Sequence, residues 1–190
     1  MNTEKLFDKI NKFALREIDL YGGPLLVHYQ ISLDTCERLA KLYGVDKNIC
    51  KAGIALADIK VGYCMKNGLW SKHIDYGYKY SEEILDGLDV DEQTKKSLLH
   101  CVLAHHGDIE YESIVSEIVA NSDCYRFLTP AGIVAYFQFA SQKTSNQNDA
   151  IDMVIAKMTE KKNIVSLPES KEELYPFYDR VKKFLLDAKV

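Results

Sequence analysis

Apolar residues recur along most of this chain at the spacing of one helical face, and nowhere in the strict alternation of a strand. Residues 3 to 20 place Leu6, Phe7, Ile10, Phe13, Ala14 and Ile18 on one stripe, and "YGGP" ends that helix at Gly22 and Gly23. Pro24 suits the first turn of a second helix, which runs to about Tyr43 and stops at Gly44. Asp46 can cap a third through roughly Met65. Further helical stretches open near Ser71 (to Leu88), at Asp91 (to Gly107) and near Tyr111 (to Leu128). Pro130 begins another, to about Gln142. The polar run "SQKTSNQND" is the clearest loop, and two last helices, about 149–161 and 169–188, flank "NIVSLP". The pattern predicts an all-α chain of about seven to nine helices, forming one domain over 1–190 with the C-terminal helices included.

Composition narrows the class. The 190 residues are 47% hydrophobic and 27% charged, as in ordinary globular proteins. A net charge of −4 argues against general nucleic-acid binding. No apolar run approaches a membrane span, and "MNTEKLFDKI" lacks the apolar core of a signal peptide, so the expected location is the cytoplasm. Five cysteines without a C-x-x-C pair read as reduced thiols filling the core.

Against this background a few polar residues stand out. Asp58 is the only acid in "CKAGIALADIKVG", a stretch apolar nearly all round, which signals burial of a carboxylate that needs a partner. Asp123, in "VANSDCYRF", is likewise an acid among apolar neighbours. It either pairs locally with Arg126, three residues on, or shares a cation with Asp58. His28 falls on the same helical face as Cys36, Leu39 and Tyr43 and so points inward, as a ligand or as a satisfied core residue. In "LLHCVLAHHGD", His105 and His106 project about 100° apart, so both cannot belong to one narrow core stripe. Either alone can also answer the dipole at the helix end, and His100 is the bystander of the three.

These elements, in this order, resemble the HD superfamily of metal-dependent phosphohydrolases. His28 stands thirty residues before Asp58; "HIDYGYKYSEEIL" supplies His73 and Gly77; "LAHHGD" and the Asp123 segment follow. The resemblance spans about residues 24–128. It departs at Ala57, where the histidine of the His-Asp pair belongs, and the lysine expected three residues after the aspartate is displaced to Lys60.

The resemblance implies a helical domain that binds divalent metal and hydrolyses a nucleotide or another small phosphate ester. One metal would take His28, Asp58 and Asp123, lacking the residue replaced by Ala57. A second would take Asp58, His73, His105 and His106. Asp58 and His73 are the expected catalytic residues, and Lys60, Lys72 and Arg126 the candidates for phosphate. Imidazole and carboxylate together suit Mn²⁺, Fe²⁺, Co²⁺, Ni²⁺ or Zn²⁺ better than Mg²⁺ alone. The alternative is a degenerate, non-catalytic domain that binds a nucleotide or a protein partner. On either reading Asp58, His73 and His105 should converge, with His28 and Asp123 close by.

Overall fold

A computed structural model describes residues 1–189. All of its regular secondary structure is helical: α1 (Thr3–Tyr21), α2 (Leu26–Leu42), α3 (Lys47–Ala57), α4 (Val61–Lys66), a 3₁₀ turn (Trp70–Lys72), α5 (His73–Asp86), α6 (Glu92–Ala104), α7 (Ile114–Leu128), α8 (Pro130–Ser141), α9 (Gln147–Ile164) and α10 (Pro168–Asp187). The helical stretches expected from the sequence are present, and the third is divided in two.

Short polar side chains set many of the boundaries. Asn2, Asp46, Asp91, Ser113 and Asn146 each accept a hydrogen bond from a backbone N–H in the first turn of the helix they open. Ser113 moves the start of α7 past the expected Tyr111, because its hydroxyl takes the Ser116 amide and Ser116 answers to the Ser113 amide. Asn146 likewise starts α9 inside the expected polar loop.

The break between α3 and α4 falls at Asp58. Its backbone leaves the helix (φ −114°, ψ 24°), and its carbonyl accepts from the Val61 amide to start a new turn. Asp58 therefore sits at a helix end, where its side chain can turn into the protein, rather than within a continuous helix as the sequence suggests. Downstream, Gly62 meets Gly23 backbone to backbone: a Cβ on Gly62 would stand 2.7 Å from the Gly23 carbonyl oxygen and 2.8 Å from its nitrogen. That contact brings the α1–α2 turn beside the start of α4, at the mouth of the site.

One apolar core draws on residues from α1 to α10. Helix α3 packs on α1, α2, α5, α6 and α7, and α7 packs on α2, α3, α6, α8, α9 and α10. The ends of α3 and α7 are thereby enclosed by other helices. The five cysteines are free and buried. Among the described residues, no helix is long and apolar enough to cross a membrane.

Candidate metal centre

Four ligand atoms meet at the end of α3. One atom from each of Asp58, His73, His105 and His106 lies within 4.8 Å of the others. His73 opens α5, while His105 and His106 follow one another off the end of α6, whose chain then turns through Gly107 (φ 72°). The helix end lets two adjacent histidines address one point.

Backbone carbonyls fix two of the rings. His73 Nδ1 donates to the Trp70 carbonyl (2.8 Å), and the Trp70 ring stacks on the imidazole at 4.9 Å. His105 Nδ1 donates to the Val102 carbonyl (2.7 Å). A neutral ring protonated at Nδ1 presents a lone pair at Nε2, and a second hydrogen bond of this kind commonly orients histidines that bind metal. Both Nε2 atoms face Asp58 Oδ1, at 3.8 Å from His73 and 3.4 Å from His105. Lone pair faces lone pair, and Asp58 Oδ1 and His105 Nε2 are buried with no hydrogen-bond partner. Orphaned acceptors of this kind fit a divalent cation.

His106 completes the group. Its Nε2 lies 3.1 Å from His73 Nε2, and since His73 already donates through Nδ1, His106 supplies the proton between them. Burial, then the neighbouring His105 and Lys161, push the His106 pKa down to about 2, so the ring is neutral at physiological pH. For Asp58, burial alone would raise the pKa, but the Arg126 guanidinium holds it well below the usual carboxylate range.

The other sequence candidates lie outside this group of four. Arg126, on α7, is 6% exposed, and its Nη2 donates to Asp58 Oδ2 and pairs with Asp123 Oδ1 at 2.7 Å. Asp123 Oδ2 faces Lys161 Nζ at 2.7 Å. His28 Nε2 donates to the Gly132 carbonyl (2.8 Å), and its ring packs edge-on against Phe127. Burial, and next the positive Arg126, lower the His28 pKa to about 4. Lys60 pairs with Glu17 at 2.9 Å and lies 3.6 Å over the Tyr80 ring. Lys72 is exposed near Asp75 and Lys79. His100 accepts the Glu112 amide at 3.2 Å and ties down the loop after α6.

A cleft of about 380 Å³ opens beside the centre, within the range of small-molecule sites. Asp58, His106 and Arg126 reach it, and much of its wall is aromatic, with Trp70, Phe127, Tyr136 and Phe139. Lys143 and Lys157 add positive charge, lying 5.6 Å and 5.3 Å from the Phe139 and Phe127 ring centres. Sequence reasoning missed both, and it missed Lys161. A signal for Lys161 was present: Ile151, Val154, Met158 and Lys161 step along one buried stripe of α9.

No family model matches the sequence, and no curated protein matches it. Two solved structures share its fold. One, described as a "predicted HD superfamily hydrolase" from an uncultured Thermotogales bacterium, superposes with a TM-score of 0.63 at 16% identity and covers 100% of both chains. The other, Bacillus subtilis YpgQ, superposes with a TM-score of 0.67 at 14% identity, over 98% of this chain and 95% of that one. At these identities the likeness speaks to architecture, and this chain has an all-helical, HD-domain-like fold.

Proposed function

We propose that this chain is a metal-dependent phosphohydrolase acting on a nucleotide or another small phosphate ester. The observation that carries the reading is the buried group Asp58–His73–His105–His106, in which Asp58 Oδ1 and His105 Nε2 have no hydrogen-bond partner. These four residues would hold the ion. Mn²⁺, Fe²⁺, Co²⁺, Ni²⁺ and Zn²⁺ suit the donor set best. A divalent ion supplies charge that polarises a phosphoryl oxygen and acidifies water.

The chain's own residues do the rest. Trp70 and Val102 carbonyls hold the His73 and His105 rings with Nε2 aimed at one point. Lys143 and Lys157 line the cleft where a phosphate group would enter, and Trp70, Phe127, Tyr136 and Phe139 give it aromatic walls. The link between Arg126 and Asp58, together with Ala57, favours the second reading, a non-catalytic module that binds a phosphorylated molecule.

The test is metal analysis of protein purified without chelator or nickel resin, beside phosphate release from a panel of nucleotides and simple esters. Bound metal and turnover in wild type, both lost in Asp58→Ala, support the enzyme. Hydrolysis that survives Asp58→Ala unchanged overturns it, and metal-free, inert protein that still binds a nucleotide selects the second reading.

A further inference from the structure

We infer that the guanidinium of Arg126 serves as a built-in cation in place of a second metal ion, so that the centre holds one divalent ion and excludes another. The inference rests on the metal-centre reading above and adds its stoichiometry.

Asp58 and Asp123 are 7% and 4% exposed, and between them they offer four carboxylate oxygens. Three are taken. Asp58 Oδ2 accepts from Arg126 Nη2, Asp123 Oδ1 pairs with the same nitrogen at 2.7 Å, and Asp123 Oδ2 faces the Lys161 ammonium at 2.7 Å. Only Asp58 Oδ1 faces no lysine or arginine, and it is the oxygen turned toward His73 and His105.

The charges agree with the geometry. Asp58 and Asp123 face Arg126 and Lys161, and Glu160, 3.7 Å from Lys161, is paired with Lys157, so the region is neutral before any ion arrives. A second ion on the Arg126 side would need a carboxylate that the guanidinium already bridges. The guanidinium cannot withdraw by losing its proton, because arginine stays charged at any accessible pH. The Nε2 of His28 is not a ligand there, since it carries the proton given to the Gly132 carbonyl. Asp123 is on this account a partner of Arg126 and Lys161, and no ligand.

The experiment loads metal-free protein with Mn²⁺, counts bound ions by elemental analysis after equilibrium dialysis, and records the Mn²⁺ electron paramagnetic resonance spectrum. Wild type should bind one equivalent and give the six-line spectrum of an isolated ion. Arg126→Gln should admit a second equivalent and give the spectrum of a coupled pair. Because that variant leaves buried acids uncovered, a charge-neutral control accompanies it: Asp123→Asn with Lys161→Met should keep one equivalent, with Kd within threefold of wild type. Two equivalents in wild type overturn the inference and leave the metal centre standing. So does a tenfold or greater loss of affinity in the double variant, or a folded Arg126→Gln that still binds one. Zero equivalents in wild type overturn the metal centre and this inference with it.

Discussion

Lys161 Nζ lies 2.7 Å from Asp123 Oδ2, and the lysine side chain is 0% exposed. An ammonium in such a place is tolerated because the carboxylate answers it. Burial alone would lower the Lys161 pKa, yet Asp123 keeps it raised. Removing one partner from a buried pair strands the other and typically costs about 3–5 kcal/mol. Lys161→Met should therefore lose about that much stability in urea denaturation. Lys161→Met with Asp123→Asn should lose distinctly less, because no unpaired acid remains. Equal losses would mean that the two side chains are not coupled.

His28 gives a pH dependence whose sign is fixed. Its folded pKa of about 4 lies below the ordinary 6.5, so the unfolded chain binds a proton that the fold refuses. Stability from this group is fully present above about pH 6.5 and is lost as pH falls toward 4. The shift corresponds to about 3 kcal/mol at most. Gln at this position can still donate to the Gly132 carbonyl but does not titrate. His28→Gln should therefore show a shallower fall in unfolding free energy between pH 7 and 4.5 than wild type. Parallel curves would exclude His28 as a source of acid sensitivity.

Placing a histidine at position 57 should not add a ligand. Ala57 is 4% exposed within the apolar core, and Arg126 already holds the adjacent Asp58 carboxylate. Ala57→His should cost about 1–3 kcal/mol through overpacking and leave metal content at the wild-type value. A gain of one equivalent with unchanged stability would show that there is room for the ring.

Metal removal gives a direct readout of the centre. An ion that binds only the folded state adds about 2.7 kcal/mol at a free concentration of 100 Kd. Chelation should lower the Tm of wild type, and His105→Ala should show little further change with chelator. A wild-type protein with bound metal whose Tm ignores chelation would place the ion elsewhere.

Much of this was legible before the fold. The lone acid in an apolar run announced the burial of Asp58, and the angle between adjacent histidines announced that His105 and His106 were not both core residues. The local half of the Arg126 network was legible too, as an i, i+3 pair with Asp123. Its other half was not, because Arg126 meets Asp58 across sixty-eight positions and no local spacing encodes such a contact. The helix break at Asp58 was hidden for another reason. The residues of the break, Asp58 to Lys60, include no glycine or proline, and the apolar pattern runs on through Val61 and Cys64.

The enclosed ends of α3 and α7 bear on how the chain comes together during synthesis. Asp58, His73, His105 and His106 are all in hand once the chain has passed the end of α6, but Asp123 stays without its lysine until α9 has been made and docked. Domains emerge N-terminus first, and contacts between distant segments must overcome loop closure before they reward it. A nascent chain halted in the loop before α9 would carry an acid with only the Arg126 half of its shelter. The charged heart of this protein is sealed late in its birth, and the apolar seams among α1, α2, α3 and α7 must carry folding until then.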